Sequence, residues 1–134
     1  MKYPLLCIET FEIIKKPNRH QMLAADQTKK QKKRAKGLHY RYITQSEIDS
    51  ILKGNYEEIK QLNTNYLVEL YADTEFYYCV ENNIAFDSIK TVSAMFGEKP
   101  KEFKENLGNK NKDLTFVLTD SCFIYNNHIN VIRA

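Results

Sequence analysis

The chain has 134 residues, 43% hydrophobic and 28% charged, with a formal net charge of +3. That length suits one domain burying roughly two-thirds of its unfolded surface, with no metal or disulfide staple required, and the composition excludes wholesale disorder. Glu9 and Glu12 interrupt the apolar run near the start, and no window approaches the ~18 apolar residues of a membrane helix, so a cytoplasmic protein without a membrane partner is expected.

Residues 3–14 read as a strand with apolar groups on both faces, closed by Pro17. Asn18 is a plausible N-cap and Gly37 a plausible stop for a helix over Arg19–Lys36. Met22 and Leu23 anchor its first half. The Lys-rich second half repels itself and offers only Ala35 to a core, so 18–37 is expected to form a helical or flexible basic arm.

Leu38 to Ile43 alternates Leu38, Tyr40 and Tyr42 against His39, Arg41 and Ile43, which predicts a strand. The tyrosines are assigned to the core, and His39 and Arg41 to solvent. Thr44-Gln45-Ser46-Glu47 has capping-box spacing before a short helix with Ile48, Ile51 and Leu52, ended by Gly54. A turn or two of helix after Asn55 points Tyr56, Ile59 and Leu62 inward.

Tyr66–Tyr71 and Phe76–Val80 are β-prone runs placed as a hairpin about residues 72–75. Asp87 is the expected cap of a helix carrying Ile89, Val92 and Phe96, which Gly97 and Pro100 end. A short helix with Phe103 and Leu107, a loop at 108–112, and strands at 114–118 and 122–132 complete the chain, the last region turning at Asn126-Asn127. The fold class is α+β: one domain over 1–134, an antiparallel sheet of roughly five to six strands with short helices on one side.

Charge is distributed unevenly. Residues 15–41 hold ten bases against the single acid Asp26, a net +9, whereas 44–87 hold two bases against nine acids, a net −7. Such asymmetry concerns partners rather than fold. Lys29, Lys30, Lys32, Lys33, Arg34, Lys36 and Arg41 suit contacts to nucleic-acid phosphates. Glu57, Glu58, Glu69, Asp73 and Glu75 form a candidate acidic patch for a basic protein surface.

Catalytic and metal signatures are weak. Cys7, Cys79 and Cys122 are widely spaced and read as buried thiols, with no zinc spacing and no cofactor fingerprint. Glu102-Phe103-Lys104 has the acid-x-lysine order of a metal nuclease, with Asp87 upstream, but it follows Pro100 in a helical pattern rather than a strand. No metal site, cofactor or catalytic residue is assigned.

The main expectation is a non-catalytic protein that binds nucleic acid or a nucleoprotein through the basic arm. An alternative draws on size, Lys/Asn richness and divided charge, in which the chain resembles anti-CRISPR proteins of phages and mobile elements. That likeness implies an inhibitor of an RNA-guided host nuclease whose acidic patch mimics nucleic acid. In a second alternative, Gly37 followed by a strand with His39, Tyr40 and Arg41 resembles RelE-type toxins over three or four residues. This implies a metal-independent endoribonuclease, with His39 and Arg41 at its centre.

Overall fold

In the computed structural model, which describes residues 4–26 and 38–133, the chain divides into two compact units, Met1–Tyr66 and Leu67–Ala134. The protein is mixed α+β with two sheets, where one sheet of five to six strands was expected.

The first unit begins with β1 (Leu5–Cys7) and β2 (Ile13–Ile14), an antiparallel pair where the sequence suggested one long strand. The chain reverses between them with Phe11 at φ 64°, and Phe11 N–H donates to Cys7 O at 2.8 Å. β1 also pairs antiparallel with β3 (Tyr40–Tyr42), giving the order β2-β1-β3. Helix α1 (Arg19–Ala25) starts with a reciprocal capping box between Asn18 and Gln21, the expected cap. It packs on β1 and β3 yet buries none of its own residues. The rest of the expected helix, 27–37, lies outside the described residues.

Helix α2 (Gln45–Leu52) opens where Thr44 Oγ1 accepts from Glu47 N–H, as the sequence predicts. Ile48 and Ile51 face inward, joining Leu6, Ile43 and Ile59 in one core cluster. Ile59 belongs to α3 (Tyr56–Leu70), a single helix that includes the run expected to be a strand at 66–71. Here helical spacing overrides β-propensity: Ile59, Asn63, Leu67 and Leu70 recur at intervals of four and three residues.

The second unit is built on the sheet β6-β4-β5-β7. β4 (Phe76–Cys79) forms its hairpin with β5 (Ile84–Phe86), and Asn83 at φ 54° helps turn the chain. β6 (Phe116–Thr119) pairs antiparallel on the other side of β4. β7 (Asn130–Ile132) runs parallel to β5, so this sheet is not purely antiparallel.

Both faces of that sheet are covered, where helices were expected on one side. Tyr77, Cys79, Phe86 and Phe116 pack with Val92 of α4 (Ile89–Phe96) and Phe103 of α5 (Pro100–Glu105). Phe76 and Ala85 pack with Tyr71, Ile129 and Ile124 of α6 (Ser121–Asn126). Burying each of Phe76 and Ile124 fully stabilises the unit by about 1.5–3 kcal/mol.

Ser88, rather than Asp87, is the N-cap of α4, and Gly97 at φ 76° ends it. α6 replaces a predicted strand because Asp120 accepts from Phe123 N–H and so begins a helix within a β-prone run. Cys7 and Cys79 are buried as expected; Cys122, on α6, is exposed.

Candidate functional site

A chain of buried polar groups runs through the core of the first unit. The β1–β3 register sets Leu6 opposite Arg41, so the arginine projects to the same face as Leu6. That face meets α2 and α3. Arg41 Nε donates to Asn63 Oδ1 of α3 at 2.6 Å, and Nη1 donates to Glu47 Oε2 of α2 at 3.0 Å. The third nitrogen, Nη2, is buried without a hydrogen-bond partner among the described residues. Burial pushes the Tyr66 phenol upward, and the nearby Arg41 charge partly opposes it. Tyr66 donates its hydroxyl proton to Tyr40 O at 3.3 Å.

Two residues before Arg41 on the same strand side, His39 is held by Glu9. The Glu9 carboxylate accepts from His39 backbone N–H through Oε1 and lies against ring Nδ1 through Oε2, each at 2.6 Å. Burial raises the Glu9 pKa, but its two bonds from His39 and the attraction of the ring outweigh that. The net result holds the carboxyl below its ordinary value. Ile8 N–H donates to His39 O at 2.9 Å, which extends the β1–β3 ladder beside this pair.

The alternation read from the sequence is therefore present with its faces exchanged. His39 is 6% and Arg41 8% exposed, while Tyr40 and Tyr42 are half-buried and Leu38 is 43% exposed. Partners explain the reversal. A buried guanidinium or imidazole is tolerated when carboxylates and amides receive its donors, and Glu9, Glu47 and Asn63 supply them. Ile43, 1% exposed and in phase with His39 and Arg41, was the signal that this face is the inner one.

Of the expected phosphate contacts, Arg41 is thus engaged inside the unit, while Lys29, Lys30, Lys32, Lys33, Arg34 and Lys36 lie outside the described residues. The acidic residues are all at the surface. Glu57 and Glu58 occupy the first turn of α3, Glu69 its last turn, and Asp73 and Glu75 the approach to β4; each is exposed. Glu57 is 3.6 Å from Lys60, a pair too open to solvent to contribute much.

Among the described residues, no group of three or more His, Cys, Asp or Glu side chains is arranged to hold a metal ion. None of the described helices is long and apolar enough to cross a membrane. Glu102 and Lys104 lie on α5, the helix that their pattern after Pro100 implied. No family model, curated protein or solved structure matches this chain.

Proposed function

We propose that this is a small non-catalytic binding protein that acts on nucleic acid or a nucleoprotein in the cytoplasm. The contacts come from Lys29, Lys30, Lys32, Lys33, Arg34 and Lys36. The observation that carries the reading is the separation of charge, ten bases to one acid over 15–41 against two bases to nine acids over 44–87. A run of six bases in eight residues releases counterions from a phosphate backbone with little base preference. Support also comes from the commitments of His39 and Arg41. The endoribonuclease alternative needs both beside a substrate, and both are engaged by Glu9, Glu47 and Asn63 within the core.

One observation favours a second version of the same reading. Glu57 and Glu58 in the first unit and Glu69, Asp73 and Glu75 in the second are each exposed, as acidic groups offered to a basic channel must be. In that version the target is a nucleoprotein such as an RNA-guided nuclease, and the protein inhibits it.

The test is binding to duplex DNA, single-stranded RNA and a guide-loaded nuclease across a salt series. Replacing Lys29, Lys30, Lys32, Lys33 and Arg34 by Gln is expected to weaken nucleic-acid binding alike for unrelated sequences. It should flatten the log–log salt slope by about 0.7–0.9 for every phosphate that is no longer neutralised. Glu57→Gln with Asp73→Asn is expected to slow association with a nucleoprotein target only. Unchanged binding to every target in both variants would overturn the proposal.

A further inference from the structure

The second unit carries a small, mainly apolar recess lined by three aromatic rings and one carboxylate, and we propose that it binds a primary alkylammonium group. Phe96, Phe103 and Phe116 stand in mutual contact, their ring centroids 5.1–6.0 Å apart. Glu98, Asn106, Asn109, Asn111 and Leu114 complete the lining. Asn111 Nδ2 donates to Glu98 Oε1 at 2.7 Å, whereas Glu98 Oε2 is buried without a hydrogen-bond partner among the described residues. A carboxylate oxygen only accepts, so the missing partner is a donor, and its negative charge selects a cationic one. Aromatic faces add attraction for an ammonium, which they do not offer to neutral water.

The molecule already places an ammonium at this ring system. Lys112 Nζ lies 5.2 Å from the Phe96 centroid and donates to Phe96 O at 2.9 Å. Its backbone belongs to a tight turn in which Asn111 and Leu114 exchange both N–H···O bonds while Lys112 and Asp113 take φ 52° and 66°. Positive φ at both central residues is what a two-residue hairpin turn requires, and it fixes the backbone from which Lys112 reaches Phe96.

Size narrows the ligand. The recess has about 10 Å³ of space, enough for one water-sized group. A primary ammonium head fits that volume and a trimethylated one does not. The same head comes from a lysine side chain of a partner protein or from a free small amine.

NMR titration of the full-length, ¹⁵N-labelled protein tests this. Methylammonium chloride is compared with tetramethylammonium chloride and sodium chloride at equal ionic strength. Saturable shifts at Glu98, Asn111 and Phe116 are expected with methylammonium alone, and Glu98→Gln should weaken binding about tenfold, as loss of a charge-assisted bond implies. Should Glu98→Gln not fold, Asn109→Ala, at an exposed position, should weaken it in the same direction. Tighter binding of Nα-acetyl-lysine amide than of methylammonium would assign the head to a protein lysine, and equal binding to a free amine. Equal shifts with both ammonium salts, no saturation, or affinity retained in the variants would overturn the proposal, leaving the recess to water.

Discussion

Removing Arg41 is the sharpest test of the polar core in the first unit. Arg41→Ala takes away two charge-assisted bonds, to Asn63 at 2.6 Å and to Glu47 at 3.0 Å. It strands Asn63, 4% exposed, at a cost of about 1–3 kcal/mol for one buried acceptor. Breaking a buried ion pair from one side costs about 3–5 kcal/mol, but the Glu47 side chain is 20% exposed and recovers some hydration. The substitution also eliminates the unsatisfied Nη2, which returns about 1–3 kcal/mol. The expected net loss is about 3 kcal/mol. The chain has no tryptophan, so urea unfolding is followed by far-UV circular dichroism and extrapolated linearly. A double-mutant cycle with Glu47→Ala should give a coupling of at least about 1 kcal/mol. A loss below about 1 kcal/mol with no coupling would refute the structural role. If nucleic-acid binding fell at the same time, Arg41 would return to the phosphate contacts.

Two other outcomes follow from the same geometry. Glu9 has a depressed pKa when folded, so its contribution to stability is fully present above the ordinary carboxylate range and is lost as pH falls through the folded value. Glu9→Gln should therefore flatten the acid limb of a stability–pH profile, and an unchanged limb would mean that the contact with His39 does not discriminate between ionised and neutral carboxyl. In the second unit, Asp120→Ala removes the bond to Phe123 N–H that starts α6, and should lower stability by about 1 kcal/mol in urea unfolding. A change within error would show that Ile124 burial alone holds the helix.

Elements with local signals were legible in the sequence. The Asn18 cap, the Thr44 cap and Gly97 after Phe96 each mark a helix end through backbone chemistry that needs no tertiary partner, whereas Pro100, read as a breaker of α4, stands in the first turn of α5. Legibility failed where tertiary packing overrides local preference. Tyr66-Leu67-Val68 favours a strand by composition, yet it continues a helix whose next inward residues, Leu67 and Leu70, reach the core around Tyr71 and Phe76. Cys122-Phe123-Ile124-Tyr125 is equally β-prone, and Asp120 begins a helix there. The parallel β5–β7 pairing was illegible because it depends on the crossover through α4, α5, β6 and α6, not on any residue in either strand.

The polar core shows a different limit, with a consequence for the charge argument. Alternation along Leu38–Ile43 is a statement about period and cannot say which set faces inward; that depends on partners 30 residues upstream of His39 and 6 and 22 residues downstream of Arg41, at Glu9, Glu47 and Asn63. Ile43 votes for one face and the two tyrosines for the other, and the partners of His39 and Arg41 at Glu9, Glu47 and Asn63 decide in favour of Ile43. Arg41 and Glu47 come from opposite charge blocks and neutralise one another inside the unit. Setting that pair aside leaves nine bases to one acid over 15–41, and two bases to eight acids over 44–87. The asymmetry survives the removal of one member from each block. What changes is the part left to Arg41, which holds β3 to α2 and α3; the proposed contacts to a polyanion then fall to the other bases of the 15–41 block, above all the six from Lys29 to Lys36.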